Sequence, residues 1–495
     1  MGPYIRLRKS GIMAISLSKD HRRVLERATA EARQLAESAC RAALENLAVH
    51  EKQYRPHMAA EQRQLRNRLR ARGRAAGDER NDRTGTQELG HLIELSAYEH
   101  WHRLLFTRFL TENNLLITDE AKGAVPVTLE ECEELAPELG ARDGLDLACR
   151  FASRTLPGVF RRDDPVLDLP LALNDQVELR KLLATLPSEC FTSDDSLGWT
   201  YQFWQAQRKD EINDSGKKIG ADELSPVTQL FTEDYMVDFL LHNTLGAWWA
   251  GKRGPIKAET EPEARAQVTL ASSNGIPAIT WTYLRFVQDE KTKTWSPAAG
   301  TFEGWPTTAR EIKLLDPCMG SGHFLVFALL LLVRLRMEEE RLTPQAASVA
   351  VLSDNIHGLE LDERCTQIAA FNLALTAWKL VGYQNLPALH LACSGLAPSG
   401  TEAEWVALAG DNDRLRRGMA RLHKLFKDAP VLGSLINPRA QTGDLIEADY
   451  HELAPLLVAA MEKEKTKASD DAAEIAVVAQ GSQRLPNCWP APSRS

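Results

Sequence analysis

The chain has 495 residues, 44% of them hydrophobic and 26% charged. That is the composition of a folded globular protein and room for roughly three domains of ~150 residues. A net charge of −9 excludes a wholesale nucleic-acid coat, so any DNA contact must come from local patches. Eight cysteines, at 40, 132, 149, 190, 318, 365, 393 and 488, include no CxxC pair. This excludes zinc-ribbon and thioredoxin-like spacing and fits a reduced, cytoplasmic setting.

The first residues, MGPYIRLRKSGIMAISL, carry basic side chains but only a short apolar stretch and no cleavage pattern, so no signal peptide is expected. Residues 17 to 48 place Val24, Ala28, Leu35, Ala39 and Ala43 at helical spacing, which predicts an amphipathic helix. Six arginines follow between 63 and 74 with no acid among them. They read either as a phosphate-contacting patch or as a solvated helix face leading into a linker. From 88 to 190 apolar residues recur every three or four positions, again helical. His91, His100 and His102 lie in this region, and His102 beside Trp101 and Leu105 reads as packing, since no Glu or Cys completes a metal-ligand set.

A further aromatic-rich helix is expected over 197–212. The polar stretch NDSGKKIGADELSP then marks a domain boundary near Gly216. In TQLFTEDYMVDFLL, Thr232 reads as a helix cap, with Glu233 and Asp234 favouring the first turn. Residues 265 to 288 are rich in β-branched and aromatic residues around Asn274-Gly275, a hairpin signal.

The run from Ile312 to Leu315 ends in Asp316-Pro317, a turn holding Gly320, Ser321 and Gly322 follows, and a long apolar run starts at Phe324. This is a buried strand, a tight loop and a helix, a junction that presents backbone N–H groups to a polar ligand. The apolar run is too short to span a bilayer and reads as a helix buried against a sheet, so no membrane association is expected. Thr343-Pro344 caps a second short helix. A strand ending in Glu360-Leu361-Asp362, another helix, and a third strand within 388–397 complete the order β-α-β-α-β, which predicts a doubly wound parallel sheet with its ligand at the C-terminal strand edges.

The glycines are followed by no Lys-Ser/Thr, against a Walker loop, and position 325 is not glycine, against a dinucleotide fingerprint. A carboxylate at the tip of the second strand can accept hydrogen bonds from ribose hydroxyls. An adenosine without phosphate at the loop therefore fits, and S-adenosylmethionine is such a ligand. Its zwitterionic end needs both N–H donors and a carboxylate such as Asp316.

DPCMGSGHFL (316–325) resembles the D-P-x-x-G-S-G-x-F motif of DNA adenine-N6 methyltransferases. GLELD (358–362) resembles their second motif, and TQLFTEDYMVDFLL (228–241) resembles the segment that precedes the glycine loop where target recognition comes last. The resemblance implies that Thr232, supported by Phe231, holds the methionine carboxylate. It also implies that Asp316, Pro317, Gly320, Ser321, Gly322 and Phe324 line the loop, that Glu360 and Asp362 serve the ribose, and that Ser394 in CSGLA (393–397) lies against adenine. AYEHWHRLLFTRFL (97–110) and LGWTYQFW (197–204) resemble the helical N-terminal region of the large methyltransferases of BREX and DISARM phage defence and of fused restriction–modification enzymes.

The fold then expected is α/β. A helical domain over 1–215 precedes an incomplete Rossmann-like S-adenosylmethionine-dependent methyltransferase core over 216–480, with the hairpin at 265–288 as an insertion and an irregular tail over 481–495. Methyl transfer to adenine N6 in double-stranded DNA also needs an Asn/Asp-Pro-Pro-Tyr/Phe loop. The chain has none: Asn437-Pro438 is followed by Arg439. No catalytic residue and no metal ligand is therefore assigned. The helix DDAAEIAVVAQG looks like the one before the catalytic strand, and the sequence after it loses all periodicity. The expectation is a chain that stops short of its catalytic loop and is inactive alone, with the missing half or other defence-system subunits as partners. The alternative is a non-catalytic S-adenosylmethionine- or DNA-binding subunit.

Overall fold

The computed structural model describes residues 17–118, 124–162, 164–193, 195–216, 218, 227, 232–300, 304–395, 398, 400–438 and 450–471. It is a mixed helix and sheet structure, mostly helical. Among the described residues, contacts group the chain into two units, one within residues 229–395, the other within residues 17–228 and 396–480. The sequence reading set its boundary near Gly216 and assigned 396–480 to the sheet domain; the contacts divide the chain differently.

The mainly helical unit begins with α1 (Lys19–Asn46), α2 (Ala60–Ala75), α3 (Gly90–Glu112), α4 (Leu129–Leu135), α5 (Gly144–Thr155), α6 (Leu173–Ala184), α7 (Glu189–Thr192) and α8 (Ser196–Ser215). Ser18 Oγ accepts the His21 N–H at 3.1 Å and so starts α1. The buried stripe of α1 runs through Leu25, Ala28, Ala32, Ala36, Ala39 and Ala43, against α3 and α8. Val24, expected on that stripe, is 43% exposed, and Leu25 takes its place one position along the helix. His102 is buried and stacks on Tyr98 with ring centroids 5.2 Å apart. Helices α15 (Glu402–Ala407), α16 (Asp413–Lys427), α17 (Ala429–Leu432) and α18 (Tyr450–Asp471) end the described residues of this unit. Of these, α15, α16 and α18 share a core of Trp405, Met419, Leu422 and Leu453. Most of DDAAEIAVVAQG and the tail lie outside the described residues.

The arginine run turns inward. On α2, Arg66 donates to the carbonyls of Ala48 and Glu51, and Arg70 to those of Val49, Glu51 and Gly85. Arg68 and Arg72 pair with Asp168 and Asp164, Arg63 donates to Met58 O, and Arg74 to Gln87. The run had no acid in its own sequence because its acceptors are backbone carbonyls and the acids of a distant segment. Arg66 and Arg70 are buried scaffolding rather than a phosphate patch, Arg63, Arg68 and Arg72 are half-buried, and Arg74 is exposed.

The other unit starts with α9 (Asp234–Leu241), which continues through a π-helical turn (His242–Gly246) into α10 (Ala247–Gly251). Strand β1 (Ile256–Lys257), α11 (Glu261–Gln267), β2 (Phe286–Gln288) and β3 (Thr294–Pro297) follow, and the strands pair antiparallel in the order β1-β3-β2. Between α11 and β2, Ser273 and Ile276 exchange both backbone bonds around Asn274-Gly275, whose φ angles are 49° and 83°. Positive φ at both central residues is the two-residue hairpin turn that Asn-Gly favours.

Next come β4 (Leu314–Asp316), α12 (His323–Glu340), α13 (Pro344–Asp354), β5 (Ile356–Glu360), α14 (Glu363–Val381) and β6 (His390–Cys393). These strands form a parallel sheet in the order β4-β5-β6, with Asp316 opposite Gly358 and Glu360 opposite Cys393. Thr343 Oγ1 accepts the Ala346 N–H with Pro344 in the first turn of α13, as the sequence signals. Helix α12 buries Leu325, Val326, Leu329, Leu332 and Val333 in a core shared with Trp248, Trp249, Trp281, Ile356 and Leu373. Each such fully buried aliphatic side chain is worth ~1.5–3 kcal/mol, so this helix anchors the loop before it. The strand order advances in one direction; among the described residues it never reverses, as a doubly wound sheet would require. No helix of the described residues is long and apolar enough to cross a membrane.

Candidate functional site

Strand β4 ends at Asp316, and the chain must turn sharply to enter α12. Asp316 Oδ1 accepts the Cys318 N–H at 3.1 Å, which starts the turn. Met319 N–H then donates to Leu359 O of β5, and Gly322 N–H to Met319 O. Gly320 and Gly322 have φ of 53° and 80°. A Cβ on Gly322 would also stand 3.0 Å from Ala369 Cβ of α14. The loop is thus glycine-rich for backbone shape and for its close packing on α14. No side chain caps the start of α12.

Glu360 ends β5 and reaches back to the loop. Its Oε2 accepts the Gly320 N–H at 2.7 Å, and its Oε1 accepts those of Leu361 (2.7 Å) and Asp362 (3.0 Å). Burial raises its pKa, the three amides oppose that, and neighbouring Asp362 adds to the rise. Burial also raises Asp316, opposed by the Cys318 N–H alone. Cys318 is exposed, and its thiol is pushed up by partial desolvation and by Glu360 and Asp316. The mouth of the loop is therefore acidic.

The other expected residues divide. Ser321 is buried and its carbonyl accepts Asn372 Nδ2 at 3.2 Å. Phe324 packs on the core, while Pro317 is exposed. Ser394 binds the Glu360 carbonyl through both its N–H (2.6 Å) and its hydroxyl (3.1 Å). Asp362 is the cap of α14, where its carboxylate accepts the Arg364 N–H at 2.8 Å. Thr232 is half-buried, but it does not cap a helix: Glu233 holds the cap position of α9. Phe231 lies outside the described residues.

Two groups escaped the sequence reading. His323 Nε2 lies 3.0 Å from Asp234 Oδ1, bringing the start of α9 to the start of α12. Asn372 ties α14 to the loop, and a lone amide within the apolar AAFNLALTAW was its only trace in sequence.

Residues 302–385, which span the glycine loop, Glu360 and all of α14, match the family described as MmeI, DNA-methyltransferase domain. The chain is 25% identical over 343 residues to the adenine-specific methyltransferase PglX of Lacticaseibacillus casei (strain Zhang), covering 62% of this chain and 27% of that protein. It is 26% identical over 360 residues to the adenine-specific methyltransferase BrxX of Escherichia coli O9:H4 (strain HS), covering 65% and 27%. A PglX of Streptomyces coelicolor is 31% identical over 129 residues, 24% of this chain and 10% of that one. The chain resembles adenine-specific methyltransferases. It spans about a quarter of the length of the first two of these relatives.

Proposed function

We propose that this chain carries the S-adenosylmethionine-binding part of a DNA adenine-N6 methyltransferase of phage defence or restriction–modification, acting on double-stranded DNA in the cytoplasm. The observation that carries the reading is the pair of half-buried carboxylates, Asp316 and Glu360, beside the uncapped start of α12. A pyrophosphate at this loop would meet like charge, which disfavours a dinucleotide. A ligand with an ammonium and a sulfonium meets opposite charge. On this reading Glu360 keeps acceptor capacity for a ribose hydroxyl beyond its three amides. Asp316 takes the ammonium, the first N–H groups of α12 and the Thr232 turn receive the carboxylate, and Ser394 lines the adenine side. The bound cofactor supplies an electrophilic methyl group; the residues here hold and orient it and keep like charge away.

The β4-β5-β6 sheet is the first half of a Rossmann-like domain in this account, and residues 17–215 its helical companion. A second reading is a non-catalytic cofactor- or DNA-binding subunit working with a partner chain; both readings accommodate the lack of an Asn-Pro-Pro-aromatic sequence in these 495 residues. Calorimetry with S-adenosylmethionine, S-adenosylhomocysteine and NAD tests the site; binding of NAD alone refutes it. Tritiated-methyl incorporation into duplex DNA tests what the two readings share: neither expects transfer by the chain alone, so incorporation at adenine N6 by the homogeneous chain would overturn both.

A further inference from the structure

His323 is a polar ring buried at a helix start, 6% exposed and next to Gly322 in the chain. Buried polar groups are held by partners. Its partner, Asp234, lies 89 positions away in sequence and opens α9, two residues after Thr232. The ring packs edge-on against Phe327, with centroids 4.9 Å apart. Asp238 lies one turn along α9, where burial and Asp234 raise its carboxyl to about 6 and His323 opposes the rise. A turn further, His242 Nε2 is 3.8 Å from Asp238 and Nδ1 accepts the Tyr283 N–H at 3.1 Å. One face of α9 and of the π-helical turn that continues it therefore carries two acids and a histidine at i, i+4 and i+8. Val237 and Leu241 anchor the helix in the core.

Apolar contacts alone would hold α9 while tolerating small slides. A hydrogen bond is sharply dependent on distance and angle, so it fixes where Thr232 and Glu233, just before α9, sit relative to the glycine loop. We propose that Asp234 and His323 are positioning residues that clasp the start of α9 to the glycine loop and thereby set the affinity for the amino-acid end of an adenosyl ligand. The proposal rests on the adenosyl reading of the site given above.

The test compares two ligands that share the nucleoside and differ in the amino-acid end. Dissociation constants for S-adenosylhomocysteine and for adenosine are measured on the full chain, with a melting curve for each variant. Asp234→Ala and His323→Leu remove the bond. Asp234→Asn keeps an acceptor and His323→Gln keeps a donor. The expected result is a loss of about 10–100-fold for S-adenosylhomocysteine in the first pair, adenosine unchanged within about twofold, and recovery in the second pair. The Asp234 side chain is 29% exposed, so Asp234→Ala leaves the core intact and decides the matter even if His323→Leu does not fold. Equal losses for both ligands, or no loss for S-adenosylhomocysteine, overturn the clasp. Glu360→Ala serves as reference. If it loses both ligands while Asp234→Ala loses neither, the site stands and the clasp falls. A wild-type chain that binds neither ligand overturns the site and the clasp together.

Discussion

Replacing Glu360 by alanine removes the group on which the loop geometry converges. Its carboxylate accepts three backbone N–H groups, from Gly320, Leu361 and Asp362, at 2.7, 2.7 and 3.0 Å. Hydrogen bonds to a charged acceptor contribute ~1.5–3 kcal/mol each. The bonds from Leu361 and Asp362 are local to the turn into α14, and water can replace their acceptor at little net cost. The Gly320 bond crosses from one strand end to the next and holds the loop. Under the proposed reading, a ribose hydroxyl adds one more charged bond on binding. Its loss alone costs ~1.5–3 kcal/mol, about 10- to 150-fold in dissociation constant. Loosening of the loop adds to that. Calorimetry with S-adenosylhomocysteine on a variant of unchanged circular dichroism measures the effect. The sign with pH is also fixed. The folded-state pKa of Glu360 is raised, so the carboxylate is protonated above the ordinary glutamate range as pH falls, and affinity falls with it. An unchanged dissociation constant in a folded Glu360→Ala chain refutes the assignment of Glu360 as a ligand residue.

Gly322→Ala combines a left-handed φ of 80° with a 3.0 Å approach to Ala369; a loss of ~1–2 kcal/mol from backbone strain alone is expected in urea unfolding, together with weaker S-adenosylhomocysteine binding. Asp238→Asn should stabilise the protein at pH 7 to 8, because the folded pKa is raised to about 6 and the ionised form is disfavoured above it. The gain over wild type should vanish as pH falls through about 6 toward the ordinary aspartate value, where the wild-type group is protonated as well. Melting curves across that range check it, and a pH-independent gain contradicts it. Arg70→Gln takes a donor from the carbonyls of Val49 and Gly85, while Glu51 keeps Arg66, and should cost roughly 1–3 kcal/mol in urea unfolding. A phosphate-contacting arginine would instead change the salt slope of DNA binding and leave stability alone.

Periodicity made the local elements legible. The α1 and α3 stretches, the Asn274-Gly275 turn and the strand–loop–helix order after residue 312 each follow from short-range pattern, but the hairpin expected over 265–288 is reduced to the bridges Leu270–Ile279 and Ser273–Ile276, with α11 taking its first residues and β2 its last. Lost to the sequence were relations between distant residues. Val24 and Leu25 are adjacent and both apolar, so only packing decides which faces inward. The arginines of α2 look like a patch because their acceptors, main-chain carbonyls and the acids Asp164 and Asp168, leave no mark beside them. Asp234 has an adequate local explanation as an acid in a first helical turn, and that explanation hid its bond to His323.

The same contrast governs the site. An acid at the end of an apolar strand is visible in sequence, but its electrostatic work is not. Glu360 accepts three amides in the structure, so its charge is already partly compensated before any ligand arrives. Asp316 has one such bond, and only the Cys318 amide opposes the effect of its burial. Of the two carboxylates Asp316 is therefore the less satisfied, and a cation beside the loop gains more from it than from Glu360. That difference makes Asp316 the residue whose neutralisation should best separate a cationic adenosyl ligand from a neutral one. Asp316→Asn keeps the turn-forming acceptor for Cys318 while removing the charge. It should weaken S-adenosylmethionine more than adenosine, and equal weakening of both would place the ammonium elsewhere.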